Sequence, residues 1–415
     1  MCRLTRQVLG ASLALLAAMA ALAAPVQAAE PIRLGFLTIK TGALAAPGKE
    51  MENGILLFLE ENQQTLAGRK VELTSLDTTG TPAVSLTKTR ELVERAKVHV
   101  IIGPLAAFEA YAIIQYVNDN KVPLISPSAA ADDLTQRKAT PYFVRAASTS
   151  SQPMHPFGTY AAKTLGYKRI ATIADDFAFG HELVAGFHRT FEDAGGQVVQ
   201  KLWPPLGTVD FGPYMGQLKK DVDAVFGGFA GIGGVRFAKA FQEYGLKGKV
   251  AYLAGQVAVD EALLRNMGDE VLGALSTAHY SAALQNPTNQ RFVQAYRQKF
   301  GQDPGYYPEG AYVAGQMLKQ VLTKLGGRIE DREAFLKALR EVSVPDTPAG
   351  PLRLDKHGQP VQNIYLRKVE RKDGRLQNTV VHTFENISQF YTYNEAEYLK
   401  APPYGRDVPP CKHCQ

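Results

Sequence analysis

The sequence comprises 415 residues, of which 45% are hydrophobic and 21% charged, and it carries a formal net charge of +6. This is the composition of a globular protein rather than of a disordered chain. So small a positive excess gives little support for binding to nucleic-acid phosphates. Because a single hydrophobic core stops growing near roughly 250 to 300 residues, the length predicts two lobes.

The segment 1–28 has the pattern of a secretory signal peptide. Arg3 and Arg6 precede an apolar run over 8–22, and small side chains lead up to Ala28, after which we expect cleavage. The run is shorter than the roughly 20 residues that an uncleaved membrane anchor needs. The pattern therefore predicts export of a soluble mature protein to the bacterial periplasm.

Two cysteines, Cys411 and Cys414, would remain after that cleavage. In an oxidising compartment such a pair forms a small disulfide or stays as two exposed thiols. A zinc site needs four ligands, and this segment offers the two cysteines and His413 at most, so no metal site is predicted. A thioredoxin-like redox centre would lie at a helix N-terminus after a strand, whereas two prolines precede this pair.

The chain then alternates short apolar runs with amphipathic stretches. Buried strands are predicted at 32–37, 71–76, 98–102 and 122–125. Helices are predicted at 50–63, 82–96 and 108–118, where apolar residues recur at spacings of three and four. An alternation of strand and helix predicts a parallel sheet with helices on both faces.

The same alternation starts again, which predicts a second sheet. Its strands are predicted at 169–174, 197–202, 222–226 and 250–253, with helices at 181–194 and 234–244. Three more helices are predicted at 289–300, 309–325 and 332–339, before a strand pair at 363–369 and 379–384. Lys372-Asp373-Gly374-Arg375 is the turn signal of that pair. The segment from Tyr391, rich in Tyr, Pro and charge, is expected to pack over the surface or to be loose.

Several segments match a family of known proteins in order and spacing. They are IRLGFLT at 32–38, VIIGP at 100–104, VPLISPS at 122–128, YFVR at 142–145, IATIADD at 170–176 and GPL at 350–352. With them the chain resembles the type I periplasmic binding proteins of the branched-chain amino acid type, the solute receptors of ABC importers. The resemblance extends from Ile32 to about Phe384.

The resemblance implies an α/β fold of two doubly wound parallel-sheet lobes, joined by three crossings of the chain. The crossings are expected near 144–147, 275–277 and 353–360. The first lobe is expected to comprise 29–145 and 277–353, the second 146–276 and 360–390, and the C-terminal tail 391–415. A ligand would bind in the cleft between the lobes, which closes by a hinge motion. The rule that ligands bind beyond the carboxyl ends of parallel strands points to the same cleft.

The resemblance also implies the partners of the protein. We expect a small-molecule ligand and an inner-membrane ABC permease, with no nucleic acid and no cofactor, and a monomer in the periplasm. A ligand sensor on the same fold, which would hand its closed form to a signalling partner, remains an alternative.

No enzyme activity is predicted. No Ser is flanked by Gly two residues away on both sides, so the hydrolase elbow is absent. His181-Glu182 lacks the second His of a zinc protease. The pair Asp175-Asp176 precedes a predicted helix, where acidic residues are usually caps.

The binding positions of the amino-acid receptors are changed in this sequence. In those receptors a Ser and a Thr hold the ligand carboxylate, and an acidic residue neutralises the ammonium. The matching positions here are Ala107, Ala130 and Gln256. A buried ammonium without a charged partner costs several kcal/mol, roughly, so an α-amino acid is a poor candidate for the ligand.

A carboxylate can still be accommodated. Ala106 and Ala107 precede the helix predicted from Phe108, whose free N–H groups and dipole favour an anion. Ser128 offers a hydroxyl in the second loop, followed by Ala129 and Ala130. The alternative is that the alanines are small to let the helix pack, and that Ser128 ends a turn.

Aromatic residues fall at strand ends or in loops that the family fold directs at the cleft. They are Phe108, Phe177, Phe179, Phe229 and Tyr307. Stacked rings gain about 0.5–1.5 kcal/mol per pair beyond apolar burial, although each residue could belong to an ordinary core. The predicted ligand is a small aromatic or other non-amino organic acid, with a branched-chain or other amino acid or amide as the alternative.

Overall fold

The computed structural model of the protein describes residues 30–414. The predicted signal peptide, 1–28, lies outside them. Among the described residues, no helix combines the length and the apolar character needed to cross a bilayer.

The first sheet has six strands in the order β2-β3-β1-β4-β5-β6. They are β1 (Ile32–Thr38), β2 (Thr65–Leu66), β3 (Arg69–Asp77), β4 (Val100–Ile102), β5 (Leu124–Ser126) and β6 (Phe143–Arg145). All pairs are parallel except the β2–β3 hairpin. The helices between them are α1 (Ala45–Glu61), α2 (Pro82–Arg90) and α3 (Ala107–Asp119). The residues of β4 and β5 are buried throughout, as expected of strands covered by helices on both faces.

The second sheet has nine strands in the order β12-β13-β14-β11-β10-β9-β7-β8, with β15 paired to β14. They are β7 (Arg169–Ala174), β8 (Gln197–Leu202), β9 (Ala224–Gly228), β10 (Ala251–Ala254), β11 (Leu275–Ala278), β12 (Ser343–Thr347), β13 (Gly350–Leu354), β14 (Pro360–Lys372) and β15 (Arg375–Ile387). Strands β7 to β11 pair in parallel and β14 is antiparallel to β11.

The remaining helices follow the same order along the chain. They are α4 (Met154–Lys163), α5 (Ala178–Asp193), α6 (Gly212–Gln217), α7 (Ile232–Glu243), α8 (Glu261–Leu264), α9 (Pro287–Phe300), α10 (Tyr306–Lys324), α11 (Arg332–Arg340) and α12 (Glu395–Lys400). Helix α10 packs on α1 through two glycines. A Cβ added at Gly54 would lie 2.1 Å from the Pro308 carbonyl oxygen, and one at Gly315 would lie 2.4 Å from the Phe58 ring. Only glycine permits this close approach.

The predicted α/β fold with two lobes is confirmed. The predicted hairpin also forms, with Asp373 and Gly374 at positive φ in its turn, as a two-residue hairpin turn requires. Helix α4 was not predicted. The segment expected as a crossing at 275–277 lies within β11, because its residues pair with β10 and β14. The lobe boundaries stay a prediction. Strands β12 and β13 were expected in the first lobe, but they are hydrogen-bonded into the same sheet as β14, which was expected in the second.

The C-terminal tail packs on the body of the protein. Tyr398 of α12 is 3% exposed, and the Arg189 guanidinium lies 3.8 Å from the centre of the Tyr393 ring. Cys411 and Cys414 are joined in a disulfide.

Candidate ligand-binding site

A cavity lies between the two lobes, at the carboxyl ends of the parallel strands. Its lining residues come from the loops that follow β4, β5, β7, β9 and β10, from the loop after β1, and from the start of α10. They are Leu44, Leu105, Ala106, Ala107, Ser128, Ala130, Phe177, Phe179, Ala230, Val257, Tyr306 and Tyr307. Both sheets therefore present their ligand-binding edge to the same space.

The cavity is narrow, and the loop after β1 lies across its mouth. The space open to the centre of a water molecule is about 30 Å³, which is roughly enough for two waters. At the mouth, the loop after β1 touches the second lobe. A Cβ added at Gly231 would lie 2.6 Å from the Ala43 carbonyl oxygen, and one at Gly207 would lie 3.6 Å from the Ala43 Cβ. A ligand larger than a few atoms can enter only if the lobes move apart.

One edge of the cavity is polar. Helix α3 begins at Ala107, and Ala106 has no side chain that could cap the N–H groups of the first turn. The Ala106 amide itself donates to Glu109 Oε2 at 2.8 Å, and burial raises the pKa of Glu109. The amides of Ala107 and Phe108 are therefore among the free donors at the positive end of this helix. The Ser128 hydroxyl, in a side chain that is 6% exposed, lines the same cavity.

The other walls are apolar or aromatic. The Phe177 ring lies 5.8 Å from Phe108 and 5.9 Å from Phe179, measured between ring centres. Tyr306 and Tyr307 pack edge to face at 5.2 Å. No Asp, Glu, Lys or Arg is found among the described residues that line the cavity.

Asp175 supports the second-lobe wall from behind. It follows β7, and its Oδ2 accepts a hydrogen bond from the amide of Ala230 at 2.8 Å. The side chain is 1% exposed, and this burial raises the pKa of Asp175 to about 8. The neighbouring Asp176 pairs instead with His181 at 2.8 Å. Asp175 thus positions the loop that carries Ala230.

The cavity brings together six of the predicted site residues. They are Ala106, Ala107, Ser128, Ala130, Phe179 and Tyr307. Phe177, which was considered with the aromatic set, joins them. Phe108 does not line the cavity but packs its ring on Phe177.

Three other predicted residues do not line the cavity. Ala129 is fully buried in the core next to the first sheet. Phe229 packs its ring 4.7 Å from Phe237 in the core of the second lobe. Gln256 is fully buried and bonds to Ser148. In each case an adjacent residue of the same loop lines the cavity instead.

Five of the lining residues were not predicted. Ala230 and Val257 directly follow the predicted residues Phe229 and Gln256. The prediction therefore located the right loops but chose the wrong residue of each. Tyr306 precedes Tyr307 at the start of α10. Leu44 and Leu105 are apolar residues without a distinguishing signal.

The chain matches a known protein family. A family model described as "Periplasmic binding protein" matches residues 31–375. The chain belongs to the periplasmic binding protein family. The predicted resemblance is therefore confirmed. This is a family of solute-binding receptors and not of enzymes, and such receptors of ABC importers bind small ligands and deliver them to permeases.

Individual relatives cover nearly the whole chain. "Leu/Ile/Val-binding protein homolog 6" of Brucella melitensis is 29% identical over 88% of this chain and 94% of its own. A solute-binding protein of an ABC transporter from Rhodopseudomonas palustris BisB5, in complex with 3,4-dihydroxybenzoic acid, is 33% identical. It covers 86% of this chain and 98% of its own with a TM-score of 0.82. A second one, from strain HaA2 with p-hydroxybenzoic acid, is 30% identical and covers 87% and 99% with a TM-score of 0.81.

Proposed function

We propose that this receptor binds a small aromatic carboxylate in the cavity between its lobes and delivers it to an inner-membrane ABC permease. The observation that carries the proposal is the distribution of polarity in the cavity. Hydrogen-bond donors are gathered at one edge, and uncharged apolar or aromatic side chains form the rest.

The polar edge suits a carboxylate. The free amides of the first turn of α3 can donate to its oxygens, and the helix dipole favours a negative charge at that end. The Ser128 hydroxyl adds a donor from the neighbouring loop. Hydrogen bonds to an ionised group are roughly twice as strong as neutral ones, so these few donors can orient the acid.

The second-lobe wall does not suit an ammonium group. Phe177, Phe179, Ala230 and Val257 offer no side-chain charge there. The carboxyl of Asp175 lies behind Ala230, already accepts its amide, and has its pKa raised to about 8 by burial. At neutral pH Asp175 is therefore largely protonated, and an α-amino group would be buried without a full counter-charge.

The relatives support two ligand classes. The two Rhodopseudomonas receptors, at 33% and 30% identity, are in complex with hydroxylated benzoic acids. The Brucella relative, at 29% identity, has a Leu/Ile/Val-binding name. The uncharged second-lobe wall favours the aromatic acids, and a branched-chain amino acid is the second candidate.

A direct test is a thermal-shift and calorimetric screen of the ligand-stripped mature protein. Benzoate and 4-hydroxybenzoate would be compared with leucine and valine. A ligand at one hundred times its Kd stabilises the native state by about 2.7 kcal/mol. We expect stabilisation by the aromatic acids and none by leucine. Stabilisation by leucine without any by the aromatic acids would overturn the proposal.

The carboxylate edge can be tested with Ala107→Pro. Ala107 is the first residue of α3 and Ala106 before it is extended, with φ −104° and ψ 152°. Proline is well tolerated at such a position, so the change removes one N–H donor without breaking the helix. A lost hydrogen bond to a charged group costs about 1.5–3 kcal/mol, and we expect the Kd for benzoate to rise about ten- to one-hundred-fold in calorimetry.

The matched control for that variant is Arg332→Pro. It introduces the same change at the first residue of α11, which does not line the cavity, and should leave the Kd unchanged. An unaltered Kd in Ala107→Pro would place the carboxylate elsewhere.

A further inference from the structure

A cluster of four buried polar side chains lies beside the cavity, and we call it the floor cluster. Its members are Ser148, Gln256, His279 and Glu309, each no more than 1% exposed. The Ser148 hydroxyl lies 3.2 Å from His279 Nδ1, and His279 Nε2 lies 3.0 Å from Glu309 Oε2. The cluster adjoins the cavity at two points, because Val257 follows Gln256 and because Tyr306 packs on His279.

The floor cluster orients the side-chain amide of Gln256. The Ser148 hydroxyl donates to Gln256 Oε1 at 2.9 Å, which uses its single proton. The amide nitrogen Nε2 therefore points elsewhere, and it is buried without a hydrogen-bond partner in the described part of the chain. The Gln256 amide nitrogen is therefore a hydrogen-bond donor without an acceptor at this end of the cluster.

Tyr306 lies between the floor cluster and the cavity. Its ring lines the cavity and packs edge to face on His279, with 4.8 Å between ring centres. Burial raises the pKa of the Tyr306 hydroxyl, and the nearby Arg145 and Ser148 oppose that rise. The hydroxyl therefore lies near Ser148, and within residues 30–414 it too has no partner in hydrogen-bond geometry.

Two unpaired polar atoms thus converge on Ser148 at one side of the cavity. Native proteins pair the large majority of their buried polar atoms, and each exception calls for an explanation. Because the rest of the cavity is apolar except for the α3 edge and Ser128, these atoms mark a second polar position, buried behind the wall that Tyr306 and Val257 form.

We propose that the Tyr306 hydroxyl and the Gln256 amide form a subsite for a ring hydroxyl of the bound aromatic acid, so that the receptor prefers hydroxylated to unsubstituted aromatic acids. This inference rests on the proposed function. A hydroxyl both accepts and donates, so it can take the Gln256 N–H and share a bond with Tyr306.

Charged substituents fit this subsite less well. A second carboxylate would be buried without a free cation, because Arg145 already bonds to Ala129 and Thr135, and Arg367 bonds to Tyr280 and to the Gln256 carbonyl. An ammonium would meet the Gln256 N–H groups. Neutral donors therefore select a neutral polar group.

The test compares three ligands in the wild type and one variant. Calorimetry would give the Kd of benzoate, 3-hydroxybenzoate and 4-hydroxybenzoate for the wild type and for Tyr306→Phe. We expect the wild type to bind one hydroxylated acid more tightly than benzoate. Tyr306→Phe should weaken that acid about ten-fold more than it weakens benzoate, which corresponds to about 1.4 kcal/mol. Tyr307→Phe is the matched control, since it removes a hydroxyl from the same cavity and should not change the ratio.

The outcomes separate the two proposals. If aromatic acids bind but Tyr306→Phe weakens all three equally, or none, the subsite is refuted and the proposed function stands. If no aromatic acid binds the wild type, both fail. Gln256→Met gives a second reading, because the preference for the hydroxylated acid should shrink even if loss of the Ser148 bond lowers the melting temperature.

Discussion

Two of the regions in which the lobes meet differ in the kind of contact. At the cavity mouth the contact is made by small groups, with Ala43 against Gly207 and Gly231. Near the predicted crossings it is made by buried charges and by the tail. There Arg137, from the loop after β5, donates to the carbonyl of Tyr398 at 2.9 Å, while Arg189 on α5 lies over the tail rings.

This difference indicates where the molecule can open. The contacts of Ala43 with Gly207 and Gly231 join small uncharged groups and can separate at little cost. Those near the crossings combine buried hydrogen bonds with aromatic packing and hold the lobes through any hinge motion. Changes near the crossings should therefore affect stability, and changes at the mouth should affect ligand binding.

The largest effect is expected from Arg145→Met near the crossings. The guanidinium is fully buried and donates to Ala129 O at 2.9 Å and Thr135 Oγ1 at 2.6 Å, and also to Gln359. Removing it leaves these acceptors unpaired, so the free energy of unfolding in urea should fall by about 3–5 kcal/mol. The exposed Arg375→Met is the control, and equal losses in both would contradict the assignment.

A somewhat smaller loss is expected from Tyr398→Ala in the tail. The ring packs 5.4 Å from Phe390 and 5.7 Å from Tyr404, between centres, and is almost fully buried. Deleting a buried aromatic ring costs about 3 kcal/mol, to be measured by chemical denaturation. Tyr244→Ala, at a ring that is 45% exposed, should cost much less. A stable Tyr398→Ala protein would mean that the tail does not hold the crossings.

At the mouth, Ala43→Phe should leave stability within about 0.5 kcal/mol, because Ala43 is exposed. The larger side chain would meet Gly207 and oppose closure. Since apparent affinity falls with the fraction of closed protein, the Kd for the ligand should rise on the order of one-hundred-fold in calorimetry. Ala83→Phe, an exposed change on α2, is the control. Tight binding by Ala43→Phe would show that closure at this contact is not required.

A last prediction concerns the pH dependence of stability and Asp175, which lies behind the cavity wall. Its pKa is raised to about 8 in the folded protein, whereas an unfolded Asp titrates near roughly 3.9. The folded state therefore binds more protons between these values, and this contribution to stability is lost as pH rises from about 4 to 8. In Asp175→Asn the free energy of unfolding should fall less steeply with pH. The slope, measured by urea titrations at a series of pH values, should change by the equivalent of up to about one bound proton. An unchanged slope would show that Asp175 is ionised.

The alternation of strands and helices was sufficient to predict the lobes, and the motifs located the loops of the cavity. What could not be predicted was which residue of each loop faces inward. At 128–130 the outer two residues line the cavity and Ala129 does not, and Phe229 and Gln256 are replaced by their neighbours. Neighbouring residues of a loop point in different directions, and motif spacing does not resolve which of them faces the cavity.

The tail and α4 were harder for a different reason. Their stability comes from each other rather than from local pattern. His155 on α4 lies within about 6 Å of the rings of Tyr391, Tyr393, Tyr398 and Tyr404. Such long-range aromatic packing leaves no periodic signal in the sequence.

The narrow cavity has a consequence for the rate of exchange. While Ala43 lies against Gly231, a bound ring has no path to solvent, so release must wait for the lobes to part. Chemically different ligands would then share one upper limit on their dissociation rate, set by the opening motion of the protein. A weak ligand would be distinguished from a strong one by how often it is recaptured before it diffuses away.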